Sequence, residues 1–301
     1  MNQIRAAALE LKQDSRPIGR YLLQTEAHVY AFAIAANVLL AFFPFMLVII
    51  ALCRNVLHWP EAERAIEFTL RDFFAGKTGD FLWYNLTVSA SYRRSFEWLS
   101  MLLLMFTANG VFLPLEVALN RAWGVMQNRS LLKNQAVSMA LILGCGALAL
   151  ISGALTGAGL EVWQALAGPD SVAPSFLVRA LAKLASFPIT VLVLYLIYVY
   201  LPNTKVPGRI ILPRVVIVGI VLESMKWINL LLWPWLYQKF LREYGPFVNS
   251  VTILTWSFLA GLVVLAGAEW TARRARIQLE SFPPLTRAPA GNLLAGPADS
   301  R

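Results

Sequence analysis

The chain has 301 residues, of which 58% are hydrophobic and 14% are charged, with a formal net charge of +9 and two cysteines. Soluble globular domains carry about 25% charged residues, so this composition excludes an ordinary soluble protein and indicates a polytopic membrane protein. The basic residues lie mainly between apolar runs and are more numerous on the side of the two termini. That pattern argues against nucleic-acid binding and favours a role in membrane topology.

Residues 1–28 precede the first apolar run and mix Ile4, Leu9 and Leu22 with charged side chains, as an amphipathic helix does. Six apolar runs follow, and each is long enough or nearly long enough to reach the roughly 20 residues that cross a bilayer as a helix. We therefore expect an all-α integral membrane protein with a six-helix membrane domain over residues 29–272. Its spans are predicted at about 29–53, 96–119, 136–160, 176–201, 210–236 and 248–272.

A polar region separates the first two predicted spans. From Pro60 it predicts a helix with proline in the first turn, with Ala62 and Ile66 on one face and Glu63 and Arg71 on the other. We expect an amphipathic helix on the outer side, which either packs as a lid on the ends of the spans or binds a ligand.

Orientation follows from the distribution of lysine and arginine. By the positive-inside rule, both termini are predicted to be cytoplasmic. Residues 273–301 become rich in proline, alanine and glycine after Arg276, which predicts a disordered cytoplasmic tail.

The fifth predicted span carries two ionisable residues near its middle. Glu223 and Lys226 are three residues apart and therefore share one helical face. Ionisable groups at that depth are costly unless they are paired or hydrated, and they are functional candidates by default. One interpretation is an intramembrane polar cavity that they form with Asn37 and Asn109. The alternative is a structural ion pair, with the two asparagines bonding between helices.

Basic residues at the outer ends of the spans form a second candidate site. They would attract the headgroups of anionic lipids. The alternative is that these long side chains reach ordinary phospholipid headgroups without selectivity. The residues are Arg54, Arg93, Arg94, Arg179 and Lys183.

Catalytic and metal-binding motifs are missing from the sequence. The two histidines, His28 and His58, lie at opposite ends of the first span and are thus separated by about 30 Å. No HExxH, CxxC, GxSxG or P-loop pattern occurs. We therefore predict that the protein is not an enzyme and has no metal or cofactor.

Several stretches, taken in order, resemble the YihY/BrkB family of bacterial inner-membrane envelope proteins, once described as ribonuclease BN. The stretches are AANVLLAFFPFMLVII in span one, VALNRAWGV at the end of span two and YVYLPNTKV after span four. Lys226 in span five also fits the pattern. The other motif positions are Pro44, Asn120, Tyr200, Pro202, Asn203, Tyr244, Gly245 and Glu269.

The resemblance implies a protein of the inner membrane that supports envelope integrity, and it supplies no catalytic residue. Together with the charged fifth span, it leads us to expect a transporter or flippase-like protein for an anionic lipid or a lipid-linked envelope component. The alternatives are a non-transporting membrane scaffold and a ribonuclease, and the lack of any acid-base set argues against the ribonuclease. The expected partners are membrane lipids and not nucleic acid.

Overall fold

A computed structural model describes residues 2–73, 77–91, 94–125, 130–167, 187–204 and 208–281. Within these ranges the regular elements are helical and there is no strand, which confirms the all-α prediction for this part of the chain. A π-helical turn at Cys53–Leu57 and a 3-10 turn at Gly245–Phe247 connect longer helices. The α-helices are α1 (Asn2–Leu22), α2 (Thr25–Leu52), α3 (Pro60–Phe73), α4 (Lys77–Ser91), α5 (Arg94–Trp123), α6 (Leu131–Ala167), α7 (Phe187–Tyr200), α8 (Gly208–Tyr244) and α9 (Val248–Ser281).

Three stretches of the described chain are long and apolar enough to cross a membrane. They are Thr25–Leu57, Leu132–Ser152 and Leu231–Ala275, and Phe187–Tyr200 is a shorter apolar helix. Length and composition therefore support a membrane protein. The count of six spans stays a prediction.

One apolar core joins the helices that contain the predicted spans. Helix α2 packs against α5 and α9, α9 also packs against α5 and α8, and α5 packs against α6. Burial of apolar side chains against neighbouring helices stabilises such a bundle through close van der Waals packing. Each of the six helices contributes at least one buried residue, for example Ala31, Leu119, Leu141, Tyr198, Val215 and Leu265.

Helix α3 begins at Pro60, and its apolar face is buried. Ile66 and Leu70 pack in a second core with Ile50 of α2 and Leu86 of α4. Its polar face carries ion pairs spaced one helical turn apart, including Arg71 with Glu67 at 2.8 Å. The side of the membrane that α3 occupies stays a prediction.

Helix α1 packs on the bundle, against α8 and α9. Ala7 of α1 is buried with Ile217 of α8 and Trp270 of α9. At the other end of the chain, α9 continues to Ser281, so residues 273–281 of the predicted tail are helical. Residues 282–301 lie outside the described part of the chain.

Candidate functional site

Glu223 and Lys226 form an ion pair that also involves α7. Lys226 Nζ donates to Glu223 Oε1 at 2.7 Å, and the Oγ1 hydroxyl of Thr190 donates to the same oxygen at 2.7 Å. Lys226 Nζ is 3.4 Å from Thr190 Oγ1. One carboxylate oxygen therefore receives a charged and a neutral donor, which is an effective way to stabilise a carboxylate in apolar surroundings.

The two members of this pair differ in exposure. The side chain of Glu223 is 13% exposed, whereas that of Lys226 is 54% exposed. Gly219, Lys226 and Trp233 follow one another along α8 at intervals of about two turns and so share a face. Gly219 and Trp233 are buried, whereas Lys226 between them is exposed.

Asn37 makes its contacts elsewhere in the bundle. Its Nδ2 donates to the carbonyl oxygen of Ala33 at 2.8 Å, one turn earlier in α2. Its side chain also lies directly against Gly110 of α5, where a Cβ atom would come within 2.0 Å of Asn37 Oδ1. Asn109 belongs to α5, and its side chain lies outside the described part. The structure thus joins Glu223 to Lys226 and places Asn37 at the contact between α2 and α5.

Five basic residues were predicted to bind lipid headgroups, and among them the structure describes the side chain of Arg54. Its Nε donates to Glu63 Oε1 at 2.9 Å and to Oε2 at 3.0 Å, which ties the end of α2 to α3. Arg54 therefore has a carboxylate partner in the fold, and its binding to a lipid headgroup stays a prediction. Arg93, Arg179 and Lys183 lie outside the described residues, as does the side chain of Arg94 at the start of α5.

Buried polar contacts of α1 were not found from the sequence. Arg214 is 2% exposed, and its Nη2 donates to Glu10 Oε2 at 2.8 Å. Asp14 accepts from Trp270 Nε1 at 3.1 Å and pairs with Arg274. These partners are more than 200 residues apart in the chain, and no local pattern links them.

Comparison with known proteins identifies the family. The family model described as "Virulence factor BrkB" matches residues 19–290. The chain belongs to the BrkB family. This confirms the resemblance seen in the sequence.

Curated relatives of this BrkB-family protein are named "UPF0761 membrane protein". The one from Chromohalobacter salexigens is 26% identical over 263 residues, covering 86% of this chain and 63% of the relative. Those from Azotobacter vinelandii and Pseudomonas aeruginosa are also 26% identical, over 260 and 238 residues, and cover 85% and 79% of this chain. The chain therefore spans 57% to 63% of the length of these relatives. No solved structure gives a significant match.

Two motif segments of the BrkB family meet in the fold. Asn120 near the end of α5 is 2% exposed, and its Oδ1 accepts from the backbone N–H of Asn203 at 2.7 Å. Asn203 follows Tyr200 and the buried Pro202 in the turn after α7. This bond fixes the end of α5 to the end of α7, which gives Asn120 a structural role.

The remaining motif residues occupy helix interiors and ends. Pro44 is buried within α2. Gly245 follows Tyr244 at the end of α8 and has a φ of +52°, a left-handed conformation that glycine adopts readily. Glu269 in α9 is 3.5 Å from Arg273, an ion pair across one turn. Gly245 thus allows the chain to turn from α8 into α9.

Metal-binding chemistry finds no support in the described ranges. No group of three or more histidine, cysteine, aspartate or glutamate residues comes together there in a way that could hold a metal ion. The polar groups that do converge on α7 and α8 are Thr190, Glu223 and Lys226.

Proposed function

We propose that this BrkB-family membrane protein is a transporter or flippase-like protein that moves or positions an anionic lipid or a lipid-linked envelope component. The observation behind the proposal is the exposure of Lys226 between Gly219 and Trp233, which are buried on the same face of α8. An accessible ammonium in an apolar helix is expensive to maintain unless a ligand or water uses it.

The ion pair suggests how a lipid phosphate would be accepted. The ammonium of Lys226 has three donors, and Glu223 Oε1 takes one of them. If Lys226 turns towards a phosphate, Glu223 keeps its hydrogen bond from Thr190. The cost of leaving the carboxylate without its cation is thereby reduced, so Lys226 can exchange partners more easily than Glu223 can.

We also propose that the protein crosses the bacterial inner membrane six times with both termini in the cytoplasm. The supporting observation is that α2, α5, α6, α7, α8 and α9 share one core. Except for α7, these helices have 28 to 37 residues, more than the roughly 20 needed to span. Labelling of single cysteines from each side of spheroplasts would test this, and an accessible amino terminus on the outside would contradict it.

The transport proposal is tested with Lys226→Met, Glu223→Gln and Thr190→Val. Lys239→Met is a matched control because it removes an exposed lysine from the same helix away from the pair. The proteins are reconstituted at equal density, and movement of labelled anionic lipid between the leaflets is measured, along with envelope integrity in cells. We expect Lys226→Met to lose at least about tenfold in rate. Full activity of both Lys226→Met and Glu223→Gln would reject the site.

A second candidate is a non-transporting scaffold that supports envelope integrity. It is favoured by the closed geometry of the pair, in which Glu223 Oε1 is held by two donors at 2.7 Å. A scaffold would need the pair only for folding. It therefore predicts that Lys226→Met, once folded, supports envelope integrity fully and that wild-type protein moves no lipid in vesicles.

A further inference from the structure

A cavity of about 480 Å³ lies where α1 ends and α2 begins, against the ends of α5 and α9. Small-molecule sites are commonly about 300 to 1,000 Å³, so this space is large enough for a phosphate group with part of what carries it. It is separate from the ion pair of Glu223 and Lys226, because none of its lining residues belongs to α7 or α8.

Positive charge predominates in this cavity. Its lining includes four arginines and two glutamates, a net charge of +2. The two glutamates are already occupied: Glu26 pairs with Arg121, and Glu269 pairs with Arg273 at 3.5 Å. The surplus charge therefore comes from the remaining arginines, both on α1.

Arg16 and Arg20 supply that surplus. They are four residues apart on α1 and share one face of the helix. Both are exposed, and within the described residues neither pairs with a carboxylate. Guanidinium groups present planar pairs of donors that match phosphate oxygens. Two such groups at the edge of one cavity leave a positive charge that a phosphate would neutralise.

Neutral donors line the same space. Tyr21 and Tyr30 contribute hydroxyl groups. Burial, together with the nearby charge of Glu269, raises the pKa of Tyr21 to about 12, so its hydroxyl keeps its proton. Gln24, another lining residue, precedes α2 and makes no side-chain cap hydrogen bond to that helix.

We propose that this cavity binds a phosphate group through Arg16 and Arg20, with the phosphate belonging either to a lipid headgroup or to free inorganic phosphate. Arg121 and Arg273 are held by their glutamates and set the positive surroundings. Arg16 and Arg20 of α1 contact the phosphate directly. Binding here does not depend on lipid movement past Lys226.

The test compares two double variants of the full chain purified in detergent. Arg16→Gln with Arg20→Gln removes the surplus charge from the cavity. Arg5→Gln with Lys12→Gln removes the same charge from exposed positions of the same helix outside the cavity. Binding is measured by calorimetry and native mass spectrometry with inorganic phosphate, phosphatidic acid, and diacylglycerol with the same acyl chains as a phosphate-free control.

The cavity variant is expected to bind phosphate-bearing probes at least about tenfold more weakly than wild type, and the control variant to bind them normally. Binding of inorganic phosphate that displaces phosphatidic acid assigns the site to free phosphate. Binding of phosphatidic acid alone assigns it to a headgroup. Equal loss in both double variants, equal binding of diacylglycerol, or no binding of either phosphate probe to wild type would overturn the proposal.

Two further variants keep the test decisive if the double variant misfolds or if the transport proposal fails. If the double variant does not fold, Arg20→Gln alone should weaken binding in the same direction by a smaller factor, and unchanged binding would overturn the assignment. In a Lys226→Met background, where any phosphate held at the ion pair of α8 is lost, Arg16→Gln with Arg20→Gln should still weaken the binding of phosphate probes. That result separates failure of this site from failure of the transport proposal.

Discussion

Asp14 and Arg274, which are 260 residues apart, form an ion pair that joins α1 to α9. The same carboxylate oxygen of Asp14 accepts from Trp270 Nε1 at 3.1 Å, and Trp270 is 1% exposed. One carboxylate therefore satisfies a buried indole and a partly buried guanidinium. Both bonds join the amino-terminal helix to α9.

Replacing Asp14 with alanine should weaken this docking. It leaves the N–H of Trp270 buried without an acceptor and Arg274 without its carboxylate, at a cost of about 2 to 3 kcal/mol in the free energy of unfolding. Thermal or denaturant unfolding followed by tryptophan fluorescence measures the change. Glu61→Ala is the control, because Glu61 forms an exposed pair with Arg64 and should cost less than about 0.5 kcal/mol. Equal effects of the two substitutions would contradict the role of Asp14.

The pair between Glu10 and Arg214 should show strong coupling. The side chain of Arg214 is 3% exposed, so Glu10→Gln leaves a buried cation without its partner. We expect that variant to lose about 2 to 4 kcal/mol, and the double variant Glu10→Gln with Arg214→Met to lose less, since methionine buries no charge. Unfolding of the two single variants and the double variant gives the coupling energy. Simple additivity would show that the charges do not interact.

The apolar runs predicted the helices because, in a membrane, each run has to form its backbone hydrogen bonds within its own helix. The helix at Pro60 was predictable for a local reason, with proline in its first turn and alternating apolar and charged faces. The contact between Glu223 and Lys226 was predictable because residues three apart share a helical face. In all three cases the information lies within a few turns of chain.

Contacts between helices that lie far apart along the chain could not be predicted from the sequence. Thr190 lies 33 residues before Glu223, and its hydroxyl has no pattern that marks it as a partner. The polar contacts of α1 depend on the packing of its apolar side against Ile217 and Trp270, which decides which charges become buried. The sequence analysis placed Asn37 and Glu223 in one predicted cavity. In the structure, Asn37 contacts Ala33 of its own helix α2 and Gly110 of α5.

Gly267 should tolerate no side chain. A Cβ atom there would lie 2.4 Å from Val218 Cγ2 and 2.6 Å from the hydroxyl oxygen of Tyr198, which donates to the carbonyl oxygen of Val264 at 2.6 Å. Gly267→Ala should therefore cost about 1 to 3 kcal/mol in unfolding free energy.

Gly261 provides the control on the same helix. A Cβ atom there would meet Ala31 at 3.6 Å or more, which is ordinary contact. Gly261→Ala should be neutral or stabilising by up to about 1 kcal/mol, because alanine is the better helix former. Thermal unfolding in detergent compares the two. Destabilisation of both variants alike would mean that the close approach of α8 to α9 is not what limits Gly267.

Tyr21 should make stability fall in alkaline solution. Burial is the main cause that raises its pKa from about 10 in the unfolded chain to about 12 in the fold. Between these values the unfolded chain loses the proton while the native protein keeps it, so the free energy of unfolding decreases as pH rises. Allowing for partial exposure of the side chain, the loss is about 1 to 2 kcal/mol. Tyr21→Phe removes this contribution, so unfolding of the variant should be less sensitive to pH between 10 and 12, and its absorbance titration should lack one tyrosine that ionises near pH 12. A variant with the same alkaline slope as wild type would place the sensitivity in another group.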